Sequence, residues 1–409
     1  MSASAQLSSP SQTVAAPRVV SIDIFRGLTM AVMIFVNELS GVRGLPWWTY
    51  HAHAEENVMT YVDMVFPFFL FSIGMSMPLS VTQRLKRNPS LSSLWMHVLL
   101  RSVSLFILGL ILANAEKADS TRMIMSGDTW ALLGILSMAL YLNVYAKSER
   151  FPAYSTILRI VGLLGVVVLF ALFRRTESDG SVAWIDPSYP EILGLIAYSY
   201  LACAVLYIPT RHWKWASTVW FVLLVSLCAL STAKISIFPA ALPLYLWPFG
   251  NGAMACMVMA GVVTSTIYLQ TATRLSRRKD TIIAVIFALL ALIAGRLLTP
   301  LGISKIRATP TWSLYSIAAS ILLFTVLYWV CDVKRRTRWA AIIAPAGSNT
   351  LTTYLLPDIW YFLLGTFGVA FIGRYFNLGW PGVIKTFIFT LFILAVAAIL
   401  TRQKIRLQL

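Results

Sequence analysis

The stretch TYVDMVFPFFLFSIGMSMPLSVT, residues 60–82, contains a single charged side chain, Asp63. A helix needs about 20 consecutive apolar residues to cross the hydrocarbon core of a bilayer. Over the whole chain, 58% of residues are hydrophobic and 12% are charged, which is typical of a polytopic membrane protein and not of a soluble domain. The sequence therefore predicts an all-α transmembrane helical bundle.

Windows of this kind recur along the chain and predict about 10–12 spans. The windows are 19–40, 60–82, 93–113, 128–145, 152–173, 190–208, 214–232, 250–270, 281–299, 310–331, 340–363 and 383–401. Residues 1–17 are polar and lack the basic and then apolar pattern of a signal peptide, so we predict a disordered tail followed by a single transmembrane domain, 18–409.

The net charge of +17 comes from short basic clusters between apolar runs, without a separate basic domain that would favour a nucleic-acid partner. If the N-terminus is inside, 19 Lys and Arg residues fall in cytoplasmic loops and nine in the opposite loops. The positive-inside rule thus predicts that both termini are cytoplasmic. In a bacterial inner membrane, the loop His51–Glu56 would then face the periplasm. The four cysteines lie singly in apolar runs, which favours buried thiols over disulfides or metal ligands.

Polar side chains at membrane depth are costly and are functional candidates for that reason. Asp23 and Arg26 lie three residues apart and so share a helical face, where they could form an ion pair that fixes the helix end or bind an anionic ligand. Arg101 could extend its charge to the cytoplasmic surface. Asn37 lies about 21 Å beyond Asp23 along the same helix. It could form an interhelical hydrogen bond or line a path between the two faces.

The loop HAHAEENV, residues 51–58, admits three interpretations. His51 and His53 would point apart on a helix, and no further His or Cys is near enough to complete a tetrahedral metal site. The histidines could also be incidental in an interfacial loop. Alternatively, an imidazole held by Asp63 could act as a general base on an incoming amine or hydroxyl. Trp48, just before the loop, could stack on a sugar ring or belong to the interfacial aromatic belt.

Taken together, these motifs resemble the heparan-α-glucosaminide N-acetyltransferase family of transmembrane acetyltransferases, in particular its bacterial branch without the extracellular domain of the lysosomal enzyme. The pattern comprises S-x-D-x-F-R-G at Ser21–Gly27, F-V-N ending at Asn37, a histidine-bearing loop, and D-x-V-F-P at Asp63–Pro67. Further matches lie in LLRSVSLFILGLILANAE, ISKIRATPTWSLYS and PAGSNTLTTYLL, which contain Arg101, Lys305, Asn349 and Tyr354.

The resemblance implies transfer of acetyl from cytosolic acetyl-CoA to an amino sugar across the membrane, by a multi-pass enzyme that could form a homodimer. It assigns the catalytic base to His53, ten residues before Asp63. Asp63 is expected to orient His53, and Asn37 to donate a hydrogen bond to the thioester carbonyl. The residues expected to bind acetyl-CoA are Ser21, Asp23, Arg26 and Arg101, and those expected to bind the acceptor are Lys305, Asn349, Tyr354 and Trp48. No metal is expected, and both direct transfer and a route through acetyl-His53 stay open.

Two alternatives remain from the sequence. A secondary transporter of sugars would also have about twelve spans with polar groups at membrane depth, but the chain lacks the paired Gly/Pro-broken helices of a transport site. An enzyme that acetylates a hydroxyl of an envelope glycan would differ only in its acceptor, which the sequence does not identify.

Overall fold

The structure is a computed structural model and describes residues 19–145, 153–235, 242–269, 274–369 and 375–407. Helices account for most of these ranges. They are α1 Val20–Leu39, α2 Val62–Arg87, α3 Leu91–Ala115, α4 Gly127–Leu142, α5 Tyr154–Leu172, α6 Glu191–Thr210, α7 Ala216–Thr232, α8 Ala253–Leu269, α9 Arg274–Leu297, α10 Pro310–Tyr328, α11 Ala344–Ser348, α12 Thr350–Thr366 and α13 Gly379–Arg402. Two strands of two residues each, β1 Arg175–Thr176 and β2 Val182–Ala183, form an antiparallel hairpin.

The prediction of an all-α membrane bundle is confirmed. Within the described ranges, eight helices are long and apolar enough to cross a membrane, namely α1, α2, α3, α5, α6, α9, α10 and α13, and α4, α7 and α8 are shorter apolar helices. The prediction of one continuous span at 340–363 is wrong, because this range contains two helices. Between α11 and α12 the backbone of Asn349 leaves helical geometry (φ −128°, ψ 52°).

Loops from distant parts of the chain meet at two ends of the bundle. At one end the carboxylate of Asp332, which follows α10, accepts hydrogen bonds from the backbone amides of Val20 (2.9 Å) and Ser21 (3.0 Å). We call it the arginine end. At the other end Asn251 donates to the carbonyl of Ala308 at 2.9 Å. We call it the histidine end, because the loop His51–Glu56 lies there.

Glycines bring α1 and α2, which carry the main motifs, against their neighbours. A Cβ on Gly74 of α2 would lie 1.8 Å from the carbonyl oxygen of Val258 in α8, and one on Gly261 of α8 would lie 2.0 Å from that of Phe71. Small residues allow such close crossings of membrane helices. Of the apolar window of α2, 72% is buried, against 17% for α5, so α2 is central and α5 is peripheral.

Candidate active site

Asp63 and His51 form the centre of a polar cluster at the histidine end. Oδ1 of Asp63 lies 2.7 Å from Nδ1 of His51, and Oδ2 accepts a hydrogen bond from the backbone amide of Thr60 at 3.0 Å. Asp63 is 1% exposed and lies in the first turn of α2, where the helix dipole favours a negative charge. The indole of Trp312 donates a hydrogen bond to the backbone carbonyl oxygen of Asp63 at 3.0 Å. The carboxylate is therefore rigidly held and orients the imidazole.

Lys305 completes this cluster from the loop before α10. Its Nζ lies 3.1 Å from Nε2 and 3.3 Å from Nδ1 of His51. Burial lowers the pKa of Lys305, and the negative charges of Asp63 and Glu191 offset this only in part. When Nδ1–H of His51 donates to Asp63, the lone pair of Nε2 faces Nζ of Lys305, which can donate a hydrogen bond to it or exchange a proton with it. The geometry thus suits His51 to general-base chemistry.

His53 lies two residues away and is exposed, and its imidazole makes no hydrogen bond within the described parts of the chain. Its backbone amide donates to Oε2 of Glu56 at 3.0 Å. The expectation that Asp63 orients His53 is therefore corrected: Asp63 holds His51. The reason is the path of the loop, because the Thr60 hydroxyl donates to the carbonyl of Tyr50 at 2.8 Å and so brings residue 51 beside the start of α2.

Trp48 also lies at the histidine end. Its side chain is 52% exposed, and its ring centroid lies 6.2 Å from that of Tyr61, the residue before α2. The indole is thus accessible in the loop between α1 and α2, and an exposed aromatic face of this kind can stack on a sugar.

A cavity of about 390 Å³ opens near the histidine end between α1, α3, α6, α12 and α13. Asn37 and Tyr354 line it, and within the described residues no hydrogen bond joins the side chain of Asn37 to either histidine. Its four carboxylates belong to Glu38, Glu116, Glu191 and Asp358. We call it the acidic cavity.

The charge of the acidic cavity is only partly compensated. Glu38 pairs with the ammonium of Lys385 at 2.7 Å and accepts the hydroxyl hydrogen bond of Tyr361 at 2.5 Å. Glu116 and Asp358 form no ion pair with any residue that the structure describes. Carboxylates without a cationic partner favour a positively charged ligand. The cavity is therefore suited to an ammonium group.

A larger cavity, of about 700 Å³, lies at the arginine end. It is lined by the first turns of α1 and α3, the last turns of α2, Ser348 and Arg406. Its charged residues are Asp23, Arg26, Arg84, Arg87 and Arg406. We call it the basic cavity.

The arginines of the basic cavity differ in their partners. Arg26 pairs with Asp23, as the sequence suggested, and its Nε is buried without a partner in the described structure. Arg84, Arg87 and Arg406 form no ion pair in the ranges that the structure covers. Guanidinium groups match the geometry of phosphate, so a ligand with several phosphates fits this cavity.

Two residues predicted to bind acetyl-CoA do not line the basic cavity. The hydroxyl of Ser21 is buried without a hydrogen-bond partner in the described residues. The guanidinium of Arg101 lies over the ring of Tyr200, 4.5 Å from its centroid. Asn349, expected to bind the acceptor, lies at the arginine end, where its amide donates to the carbonyl of Ile405 at 2.9 Å. Arg406 was present in the sequence only as part of a basic cluster, and nothing local linked it to α1.

The two cavities are close to each other along α1. Arg26 is the last α1 residue to line the basic cavity, and Met30 is the first to line the acidic cavity. Four residues correspond to about 6 Å of helix. One helix therefore forms a wall of both cavities, with about a single turn between them.

The described residues contain no group of three or more His, Cys, Asp or Glu side chains arranged to hold a metal ion. All four cysteines are buried free thiols.

Comparison with known proteins bears on this geometry. Residues 18–250, more than half of the chain, match a family model described as a domain of unknown function, DUF5009. The chain is also 40% identical over 98 residues to heparan-alpha-glucosaminide N-acetyltransferase of Homo sapiens, and 38% identical over 99 residues to that of Mus musculus. Each match covers 24% of this chain and only 14% of the relative. The resemblance seen in the motifs is confirmed over that quarter, and the chain belongs to the DUF5009 family.

Proposed function

We propose that this protein is a transmembrane acetyltransferase that takes acetyl from acetyl-CoA at the arginine end and delivers it to an amine at the histidine end. The observation that carries the proposal is the pair of cavities that share α1, one basic and one acidic. The names of the human and mouse relatives, both N-acetyltransferases, support the same reaction class. A bacterial inner membrane, with the arginine end in the cytoplasm, accommodates this arrangement.

The donor end of the reaction depends on the basic cavity. Arg84 and Arg87, which have no carboxylate partner in the described structure, would bind phosphates of CoA, with Arg26 deeper along α1. A phosphate contact with arginine is charge-assisted and often bidentate, which gives affinity and orientation together. The thioester would then reach along α1 toward the acidic cavity.

The acceptor end depends on the acidic cavity. A primary amine is protonated near neutral pH and would be attracted by Glu116 and Glu191. The same charges would repel an acceptor that carries sulfate or phosphate. An amino sugar with no other charge fits these requirements, and Trp48 and Tyr354 offer it aromatic faces.

In the proposed chemistry, His51 takes a proton from the acceptor amine, and the freed nitrogen lone pair attacks the carbonyl carbon of the thioester. A carbon–nitrogen bond forms, the carbon–sulfur bond breaks, and CoA leaves as a thiolate, which takes up the proton that the nitrogen loses as the amide forms. Asp63 stabilises the imidazolium that forms on His51. Asn37, on the wall of the acidic cavity, is the predicted donor to the carbonyl oxygen as negative charge develops there.

The test is transfer from labelled acetyl-CoA to glucosamine by the purified full-length protein, with Asp63→Asn as the matched variant. We expect transfer by the wild type, strong loss in Asp63→Asn, and unchanged CoA binding in both. CoA binding without transfer to glucosamine would contradict this acceptor and favour a glycan hydroxyl. Absence of CoA binding, together with uptake of sugar into proteoliposomes, would replace the enzyme by a transporter.

A further inference from the structure

Arg406 lines the basic cavity and belongs to residues 403–407, which follow α13 at the end of the described chain. The other arginines of the cavity belong to α1 and α2. A single exposed arginine after a helix would ordinarily sample many positions, at a cost in entropy when it binds a ligand. In this protein the backbone that carries the arginine is held in place by several hydrogen bonds.

Both neighbours of Arg406 are fixed by the break between α11 and α12. The amide of Asn349 donates to the carbonyl of Ile405 at 2.9 Å and to the hydroxyl of Thr401 at 3.2 Å. The hydroxyl of Thr352 donates to Oδ1 of Asn349 at 2.6 Å and accepts the backbone amide of Leu407 at 3.3 Å. Asn349 is 2% exposed. A buried asparagine with its side chain satisfied on both atoms is a rigid support.

Arg406 itself is held by the loop after α4. Its carbonyl accepts a hydrogen bond from the amide of Val144 at 3.0 Å, and Leu407 forms an antiparallel bridge with Asn143. Three consecutive residues, 405–407, are therefore tied to elements distant in the chain. The backbone at Arg406 is fixed while its side chain lies free at the cavity wall.

The charges of the cavity show what this arginine can bind. Asp23, the acidic residue of the lining, forms an ion pair with Arg26. Arg406 lines the same cavity as Arg84 and Arg87, and the three guanidinium groups have no carboxylate partner in the described ranges. Several unpaired guanidinium groups around one cavity match a ligand with several phosphates.

We propose that Arg406 is a phosphate-binding residue of the donor site and that Asn349 is the residue that positions it. The proposal rests on the proposed function, since it names the donor's phosphates as the ligand. It assigns to Asn349 a role at the donor end, in place of the acceptor contact expected from the sequence. The same cavity chemistry would suit the phosphate of an anionic lipid, and the experiment separates the two sources.

The test measures CoA binding by the purified full-length protein, with Arg406→Gln and with Arg402→Gln as the matched control. Arg402 is a nearby exposed arginine that does not line the cavity. We expect Arg406→Gln to weaken CoA binding about 10-fold, the scale of one charge-assisted hydrogen bond, and Arg402→Gln to leave it unchanged. An S-acetyl pantetheine fragment without the nucleotide should bind both variants like the wild type.

Asn349→Ala tests the positioning role through a double-mutant cycle. We expect Asn349→Ala to weaken CoA binding, as Arg406→Gln does. The double variant should bind CoA with the same affinity as Arg406→Gln alone. Additive losses would overturn the positioning role. Thr352→Val, which removes the hydroxyl that holds Leu407, provides a second, milder variant in case Asn349→Ala does not fold.

The source of the phosphate is decided by repeating the binding in nanodiscs with and without phosphatidylglycerol. If Arg406→Gln binds CoA more weakly than the wild type in both kinds of nanodisc, the result supports the donor site. If Arg406→Gln binds CoA like the wild type and alters only the binding of phosphatidylglycerol, a lipid site replaces the proposal. If the wild type binds no CoA at all, the proposed function fails, and this inference fails with it.

Discussion

At the scale of single residues, His51 and His53 differ in what holds them. His51 is oriented by Asp63 and faces Lys305, whereas the imidazole of His53 makes no hydrogen bond in the described structure. We expect His51→Gln to lower kcat about 100-fold or more, because general-base catalysis contributes on that scale. His53→Gln, the matched variant, should stay within about 3-fold of the wild type, because only the residue that acts as the base contributes this rate enhancement. CoA binding should persist in both.

The opposite outcome has an equally clear meaning. If His53→Gln loses activity and His51→Gln keeps it, His53 is the base that the family resemblance marks. The Asp63–His51–Lys305 cluster would then fix the loop and not move the proton. Acetyl transfer at saturating acceptor, measured with each variant, separates the two cases.

Lys305 provides a prediction of pH dependence. Burial lowers its pKa below the ordinary value of 10.5, so between the two values the unfolded chain binds more protons at this residue than the folded protein does. The free energy of unfolding must then rise with pH in that window. We expect the melting temperature of the wild type to rise relative to Lys305→Met as the pH approaches 10.5. If the difference in melting temperature between the two proteins does not change with pH, the pKa of Lys305 is not lowered.

At the scale of helices, the crossing of α2 and α8 depends on glycine. A Cβ on Gly74 would overlap the carbonyl oxygen of Val258, and backbone cannot move aside as a flexible side chain can. We expect Gly74→Ala to lower the free energy of unfolding by about 1–3 kcal/mol, the usual cost of overpacking. Thermal unfolding in detergent measures the change.

The control for that crossing is Gly41→Ala. A Cβ on Gly41 would have its nearest neighbour, the carbonyl oxygen of Glu38, at an ordinary 3.7 Å. We therefore expect no change in the melting temperature. Equal destabilisation by the two substitutions would show that the effect is due to glycine replacement in general and not to the α2–α8 contact.

At the scale of the whole molecule, the bundle has two chemically different ends, and the positive-inside rule predicts which one is cytoplasmic. All four native cysteines are buried, so single introduced cysteines report on their own surroundings. We expect a membrane-impermeant maleimide on intact cells to label Ile124→Cys, which is 80% exposed in the loop between α3 and α4 at the histidine end. Ser92→Cys, in the first turn of α3 at the arginine end, should react only after lysis. The reverse pattern would invert the topology.

The charge of the acidic cavity gives a prediction about acceptors. Glu116 and Asp358 have no ion-pair partner in the part of the chain that the structure describes, and like charges brought together cost several kcal/mol. We expect glucosamine 6-sulfate to be used with a kcat/KM about 10-fold or more below that of glucosamine, by the same repulsion. Glu116→Gln should narrow this difference. Equal use of the two sugars would remove the acidic cavity from acceptor recognition.

The sequence by itself determined the fold class and the positions of most helices, because hydropathy is a local property and each span is one continuous run. It also placed the motifs on α1, on the following loop and on the start of α2, and it paired Asp23 with Arg26, which are one helical turn apart. The break at Asn349 was missed, because the residues around it remain apolar enough to be part of a span.

Only the tertiary structure decided which side chains meet. Lys305 and His51 are separated by 254 positions, and Asn349 and Ile405 by 56, so no local pattern could bring them together. The choice of His51 over His53 as the partner of Asp63 depended on the path of one loop, where a shift of two residues exchanges the two imidazoles. Hydropathy fixed the helices within the bilayer, whereas packing and loop geometry fixed the contacts between them.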